Sequence, residues 1–310
     1  MALELDTHPP LTFMGLPFRR TVGDAQAVVL GLPFDWGRHP FRVGARDAPL
    51  AVRYQSRLMR RFDQEAPSAD DPLAILKAID GGDVRLTPGE VEPALQAMEA
   101  AVAAIAAAAA VPATIAGDGT TALAELRALK GHYSDLCTVH IDAHTDAYPV
   151  PGVTTATSFS RAAEEGLVEA RHSWQIGMRG NTFMAGVCEA GRQYGYQVVT
   201  FDQLWQRGFA AVAAAIKADL GQRPVYLNVD MDFFDPGAAP GVCSPTWGGA
   251  SPREGLALLR ALEGLNVVGC SVGTVSPPHD VAGQTASLAA HVLFRLLYMV
   301  WIYRKGLVGG

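Results

Sequence analysis

The sequence has no run of lysine and arginine residues, and its 310 residues carry a formal net charge of −6. Nucleic acids and anionic membranes are bound through positively charged surfaces. The negative net charge and the lack of a positively charged run therefore argue against both as partners and favour small molecules or other proteins. With 49% hydrophobic residues, the composition is ordinary for a globular protein with a sizeable core.

Cysteine is scarce, and no CxxC pair occurs. The four cysteines are widely spaced, at Cys137, Cys188, Cys243 and Cys270. This spacing favours free thiols in a reducing compartment over disulfides or a zinc site, and so predicts a cytoplasmic protein. The first residues also lack a basic segment followed by an apolar one, so no signal peptide is expected.

Uninterrupted apolar runs of membrane-spanning length are missing too. The best candidate, residues 284–304, contains His291 and Arg295. These polar side chains favour a buried or interface helix over a transmembrane one. We therefore expect no membrane partner.

No stretch rich in glycine, serine and proline divides the chain, and from residue 27 onward short apolar runs alternate with helical patterns. The runs typical of strands are 27–33, 113–117, 137–142, 173–180, 196–202, 224–232 and 266–272. Strands that alternate with helices predict an α/β fold with a mostly parallel sheet. We therefore predict one α/β domain over residues 27–310, preceded by an N-terminal extension over residues 1–26.

Acidic side chains follow three of these predicted strands. Together with one histidine they are Asp118, Asp142, His144, Asp146, Asp230, Asp232 and Asp235. Ligands of open parallel sheets bind beyond the carboxyl ends of the strands. We therefore expect these side chains to lie along one edge of the sheet.

The segment VHIDAHTD, residues 139–146, indicates what that edge binds. In a strand, Asp142, His144 and Asp146 would all project from one face. So many acids near one point repel one another unless a cation lies between them. Carboxylates with a single imidazole suit Mn²⁺ better than zinc, with iron, cobalt and nickel as alternatives. Two bridged ions would provide a hydroxide nucleophile at neutral pH.

Other polar residues near this edge have simpler interpretations. Asp118 and Asp235 are better explained as acids that orient loops by accepting hydrogen bonds from backbone amides. His140 is interpreted as a core histidine. An Asp-x-Asp sequence is common after strands, so Asp230 and Asp232 indicate a metal site only in combination with the DAHTD segment.

These motifs resemble those of the ureohydrolases, the family of arginase, agmatinase, guanidinobutyrase and proclavaminate amidinohydrolase. The resemblance covers nearly the whole chain from about residue 27. It is carried by GLPFDWGRHPFRVGARDAPLAVR (31–53), IDGGDV (79–84), AGDGTTALAELRAL (116–129), HIDAHTDAYP (140–149), LNVDMDFFDPGAAPG (227–241) and VGTVSPPHD (272–280).

The resemblance implies a three-layer α/β/α fold with an eight-stranded parallel sheet, assembled as a trimer or hexamer. It also implies a small guanidino-type substrate and a binuclear manganese centre, whose bridging hydroxide attacks a guanidinium carbon and releases urea. By their places in the motifs, Asp142 and Asp230 would bridge the two ions. Asp146 would bind the first ion, whereas His144 and Asp232 would bind the second.

Three positions depart from the family pattern, each by replacement with a small residue. Where the family reads GGDHS, with a histidine that binds the first ion, this chain has Gly119. Where many members read HHGTPF, with a histidine that serves in proton transfer, it has Thr155. Where the family reads VxEVSP, with a glutamate that binds the guanidinium, it has Thr274.

These replacements leave two hypotheses open. The first is an atypical hydrolase of a C–N bond in a guanidino or related compound, which holds one or two ions, releases urea or ammonia and takes a less basic substrate. The second is a catalytically inactive homologue that serves as a regulatory or structural subunit beside an active paralogue. We favour the first, because an inactive subunit has little reason to keep a cluster of buried acids.

Overall fold

The computed structural model describes residues 11–308 except 36–41, 63, 65–69 and 88. Parts of the predicted N-terminal extension and of the first family-like motif therefore lie outside the described residues.

One parallel sheet forms the centre of the protein. Its strands are β1 Ala27–Leu32, β2 Ile79–Asp83, β3 Val111–Ala116, β4 Cys137–Ile141, β5 Trp174–Met178, β6 Gln197–Thr200, β7 Val225–Asp230 and β8 Val267–Gly273. Their order across the sheet is β2-β1-β3-β8-β7-β4-β5-β6, and every neighbouring pair is parallel. The predicted eight-stranded parallel sheet is confirmed.

The alternation of apolar runs with helical patterns predicted seven of these strands. The edge strand β2 was not predicted. Its sequence, IDGGD, contains two glycines and two aspartates, which are residues with low strand propensity. It forms because the backbone pairs with β1.

Helices cover both faces of the sheet. They are α1 Ala48–Ser56, α2 Pro72–Ile75, α3 Val91–Ala107, α4 Thr121–Lys130, α5 Ser158–Glu164, α6 Val187–Gln193, α7 Phe201–Arg207, α8 Phe209–Leu220, α9 Pro252–Ala261 and α10 Gln284–Val308. Helices α1 and α7–α10 contribute side chains to one hydrophobic core, whereas α3–α5 contribute to a second core. The protein thus has the predicted three layers.

Helix α10 is long and apolar enough to cross a membrane by length and composition alone. However, 78% of its most apolar stretch is buried within the fold, where it packs on α1, α9, β3 and β8. Arg295 is only 8% exposed and pairs with Glu263 at 3.2 Å. The helix is therefore a buried one, in agreement with one of the two forms predicted.

The segment before β1 packs onto the edge of the sheet. Phe13 and Leu16 are buried in the core, and the Phe13 N–H donates to Asp80 Oδ2 at 2.8 Å. The same carboxylate accepts from Arg53 Nε at 2.8 Å. A buried ion pair thereby joins the N-terminal segment, α1 and β2.

A buried carboxyl group lies within the core between α4 and the sheet. Glu125 is 1% exposed, and Thr114 Oγ1 donates to its Oε2 at 2.8 Å. Burial raises the pKa of Glu125 to about 8, although hydrogen bonds from Thr114, Tyr226 and Ser271 act to lower it. The group is therefore expected to be protonated near neutral pH.

We predict that Glu125→Gln reduces the loss of stability between pH 4.5 and about pH 8, the interval between the ordinary and the raised pKa of this group. The folded-state pKa lies above the ordinary value of 4.5, so on raising the pH the unfolded chain loses this proton first. The contribution of Glu125 to stability is therefore complete below pH 4.5 and is lost as the pH rises through about 8.

Thermal unfolding monitored by circular dichroism across this pH range measures the effect. Glu92→Gln, on the exposed side of α3, is the control and should keep the wild-type pH dependence. Identical pH dependence in wild type and Glu125→Gln would contradict the prediction.

Candidate metal centre

A cavity of about 820 Å³ opens at the carboxyl ends of the central strands. Its lining includes the predicted site residues Asp118, Asp142, His144, Asp146, Thr155, Asp230, Asp232 and Thr274. Strands β3, β8, β7 and β4 are neighbours in the sheet, and these residues come from the last residue of β7 and from the segments that follow the four strands. The expected convergence of acids at one edge is thus observed.

Asp235 lies outside this cavity lining and orients a loop, as expected. Its two carboxylate oxygens accept hydrogen bonds from the backbone N–H groups of Gly237, Gly248 and Gly249 at 2.9 to 3.2 Å. Asp118 lines the cavity, and its Oδ1 accepts from the Thr120 N–H at 2.9 Å.

The DAHTD segment reaches the cavity through a turn. The prediction that Asp142, His144 and Asp146 project from one face of a strand is wrong, because β4 ends at Ile141. After it, Asp142 Oδ1 accepts from the His144 N–H at 2.6 Å, and Asp146 has a left-handed backbone with φ of +46°. This local hydrogen bond and this backbone conformation bring the three side chains together.

The second pair of acids is held by a helical turn at the end of β7. Asp230 Oδ1 accepts from the Asp232 N–H at 2.8 Å and from Thr274 Oγ1 at 2.7 Å. Asp232 Oδ1 accepts from the Ala143 N–H at 3.1 Å. The loops after β4, β7 and β8 therefore fix one another through the acids themselves.

Among the described residues, two groups of three side chains have donor atoms close enough to hold an ion. One group is Asp142, His144 and Asp232, and the other is His140, Asp142 and Asp146; the donor atoms within each group lie within 4.8 Å of one another. Asp142 belongs to both groups, whereas Asp230, the other carboxylate predicted to bridge the ions, belongs to neither.

Distances in the first group fit a shared ion. His144 Nδ1 lies 3.0 Å from Asp232 Oδ2 and 3.4 Å from Asp142 Oδ1. Neighbouring ligands of an ion bound at about 2.1 Å are about 3 Å apart. The atoms are thus spaced as ligands of one divalent cation would be.

His140 is buried at 1% exposure, as expected of a core histidine, yet it also contacts the acids. Its Nε2 lies 3.1 Å from Asp142 Oδ2. This contact was not predicted from the sequence, because His140 was interpreted as a core residue and not placed on the face of Asp142. Alternation along β4 puts residues two apart on the same face and could have found it.

The other acids of the site are hard to ionise. Burial, together with the charge of Asp142, raises the pKa of Asp146 well above its ordinary value and also raises that of Asp232. Burial and the charges of Asp232 and Asp142 raise the pKa of Asp230 well above its ordinary value. These shifts have the two causes that a bound cation would offset.

Asp142 differs because two imidazoles face it. Burial acts to raise its pKa, but the charges of His140 and His144, together with a hydrogen bond from His144, hold it well below its ordinary value. Burial acts to lower the pKa of His144, but Asp232 and Asp142 hold it well above its ordinary value. The protonated imidazoles thus supply the positive charge beside Asp142 that a bound cation would otherwise supply.

The residues present fit a divalent cation. None of the described residues that line the cavity is a lysine or an arginine, whereas the imidazoles of His140 and His144 lie 3.1 and 3.4 Å from the carboxylate of Asp142. In addition, His140 Nε2 is buried without a well-directed hydrogen bond. Oxygen donors with few nitrogens are the ligands expected for Mn²⁺ and similar ions.

Gly119 faces the acids without contributing a ligand from a side chain. A β-carbon at this position would lie 2.9 Å from Asp146 Oδ2 and 2.7 Å from Thr155 Oγ1. The Gly119 N–H donates to the Thr155 hydroxyl at 3.1 Å. Thr155 therefore occupies space beside the site that a larger residue 119 would need.

The chain is similar to known proteins over most of its length. A family model described as the Arginase family matches residues 25–299. Proclavaminate amidinohydrolase of Streptomyces clavuligerus is 35% identical, with 93% of this chain and 92% of that protein covered. Its solved structure superimposes with a TM-score of 0.91 at 34% identity, covering 96% of this chain and 98% of that one. Guanidinobutyrase of Pseudomonas aeruginosa is 31% identical, with 92% and 91% covered.

We predict that Mn²⁺ raises the thermal unfolding midpoint and that Asp142→Asn abolishes most of the rise. A ligand at a hundred times its Kd stabilises the folded state by about 2.7 kcal/mol, which corresponds to about 5 °C here. Asp142 belongs to both donor groups, so its loss weakens both.

Differential scanning fluorimetry with and without Mn²⁺ measures the shift. Asp135→Asn, on the exposed surface, should respond as the wild type does. A full Mn²⁺ response in Asp142→Asn would contradict the assignment of this carboxylate.

Proposed function

We propose a function from the premise that this chain belongs to the arginase family and is a ureohydrolase-type enzyme that acts on guanidino compounds. It hydrolyses a C–N bond in a guanidino compound that is less basic than a free alkylguanidine, and it releases urea or ammonia. The proposal is based on one observation: the cavity that is lined by the cluster of buried acids is also lined by Thr274, a neutral residue.

We propose Mn²⁺ as the cofactor, with one or two ions per chain and nickel, cobalt and iron as alternatives. Asp142, His144 and Asp232 would hold one ion, while Asp142, Asp146 and Asp230 would offer oxygens to the other. When bound, such ions supply Lewis acidity and make water a nucleophile near neutral pH. The loops described above keep the acids in place by hydrogen bonds that remain when the acids are ionised.

Thr274 supports a substrate of low basicity. It is 5% exposed, and its hydroxyl donates to Asp230 Oδ1. The oxygen can still accept one hydrogen bond from a substrate N–H, but it offers no charge to a guanidinium. A charge-assisted pair is about twice as strong as a neutral hydrogen bond, so a cationic substrate gains less here than it would beside a glutamate.

Thr155 supports the same substrate class by a separate route. A hydroxyl does not titrate near neutral pH, and the absence of a general acid typically costs about 10²–10⁴ in rate. An acyl or hydroxyl substituent withdraws electrons, so it lowers both the basicity of the guanidine and the need to protonate the departing nitrogen. An electron-withdrawing substituent on the substrate would thus compensate for both Thr155 and Thr274.

The outer part of the cavity offers an apolar surface for the rest of such a substrate. Tyr148 stacks on Phe183 with ring centroids 4.7 Å apart, and both rings line the cavity beside Val150 and Pro151. A planar acyl group would bury apolar area against these rings.

We predict that the Mn²⁺-loaded protein releases urea faster from N-acylated or N-hydroxylated guanidines than from agmatine or arginine. A colorimetric urea assay, paired with an ammonia assay, measures kcat/KM across the panel. No product from any compound while metal is bound would contradict the proposal and favour the inactive subunit.

Thr274→Glu should shift kcat/KM towards cationic guanidines by about tenfold or more relative to neutral ones, because it restores a charge-assisted contact. Thr274→Gln has similar size without the charge and is the control. An equal shift in both variants would show that size, and not charge, sets the preference.

We also propose that the protein is a cytoplasmic homo-oligomer, either a trimer or a hexamer. In support, four exposed apolar side chains recur every fourth residue on and after α1, with exposures of 54 to 75%: Leu50, Tyr54, Leu58 and Phe62. Exposed apolar patches of this kind commonly lie in protein interfaces.

Light scattering after size exclusion should give a mass above the 32.9 kDa of one chain, and Leu58→Glu should lower it by placing a charge in the interface. Val281→Glu, at another apolar side chain that is 61% exposed, should leave the mass unchanged. A monomeric wild type, or an unaltered mass for Leu58→Glu, would contradict this interface.

A further inference from the structure

His140 carries a buried nitrogen that the fold does not satisfy. Its Nε2 lies 3.1 Å from Asp142 Oδ2, but the direction does not suit a ring N–H that donates to this oxygen, and the atom has no other hydrogen-bond partner among the described residues. Phe159 covers the ring, with centroids 4.1 Å apart. The unsatisfied atom therefore points towards the acids and away from solvent.

The opposite side of the ring fixes which nitrogen carries the proton. His140 Nδ1 lies 2.8 Å from Asn228 Oδ1, and the Asn228 Nδ2 donates to the Tyr226 hydroxyl at 3.4 Å. An amide oxygen only accepts hydrogen bonds, so Nδ1 must donate. In the neutral ring, Nε2 then carries the lone pair.

This is the arrangement of a metal-binding histidine, which typically donates its other ring N–H to an oxygen acceptor. The distance of 3.1 Å between Nε2 and Asp142 Oδ2 matches the separation of about 3 Å between neighbouring ligands of one ion. Asp146 supplies a third donor, and all three atoms lie within 4.8 Å of one another.

We propose that His140 is a ligand of the ion that Asp142 and Asp146 share, and that it takes the place of the ligand that Gly119 does not provide. The β-carbon direction at residue 119 also points towards Asp146, so both positions address the same ion, one from the loop after β3 and the other from β4. The inference rests on the proposed metal centre, but its test does not depend on turnover.

The experiment loads the full chain with Mn²⁺ and combines metal analysis with pulsed EPR of the bound Mn²⁺. We expect two ions per wild-type chain and ¹⁴N couplings from two imidazoles, His140 and His144. His140→Ala should keep the His144 coupling, lose the other and bind one ion at least about tenfold more weakly. His172→Ala, a partly exposed histidine paired with Asp219 at 2.7 Å, should behave as wild type.

Retention of both ions at wild-type affinity in His140→Ala would overturn the proposal, as would a single imidazole coupling in the fully loaded wild type. If His140→Ala does not fold, the wild-type couplings alone decide. Two imidazole couplings without urea release would refute the proposed function and leave His140 as a ligand. Urea release with the His144 coupling alone would support the proposed function and refute His140 as a ligand.

Discussion

Repulsion between buried carboxylates is the constraint on which the rest of this site depends. Asp142, Asp146, Asp230 and Asp232 are each at most 9% exposed and share one cavity. Burying that much like charge is unfavourable unless a cation or protons neutralise it. The fold can hold the cluster because four central strands end at the same edge and two hydrophobic cores stabilise the sheet behind it.

The sequence was sufficient to predict the sheet and the edge at which the acids meet. Apolar runs mark buried strands, and the parallel direction of the strands in such a fold places their carboxyl ends at one edge. Local geometry was less predictable. Strand spacing indicated residues that do line the cavity, but those after Ile141 converge through a turn with Asp146 at positive φ and not along a strand.

Contacts between distant segments could not be predicted from periodicity. The Thr274 hydroxyl meets Asp230 across 44 residues of sequence, and Asn228 orients His140 across 88. Both pairs depend on the register of neighbouring strands, which hydrophobic pattern alone does not specify. Strand β2 was missed for a related reason, since it forms by pairing and not by propensity.

The three small residues at positions 119, 155 and 274 act as one set. The Thr155 hydroxyl accepts a hydrogen bond from the Gly119 N–H, and the Thr274 hydroxyl donates one to Asp230. Each hydroxyl is therefore held by a residue of the candidate metal centre or beside it. None of the three offers a charge to the substrate. The set is therefore consistent with a reaction in which the substrate needs less cationic recognition and less proton transfer.

Anomalous X-ray diffraction at the manganese edge, from crystals soaked in Mn²⁺, would test the central claim most directly. The account predicts two peaks per chain, both within bonding distance of Asp142, one beside His144 and Asp232 and the other beside His140 and Asp146. No peak under saturating Mn²⁺ would contradict a metal centre built on these acids, and a single peak would contradict the second site, which includes His140.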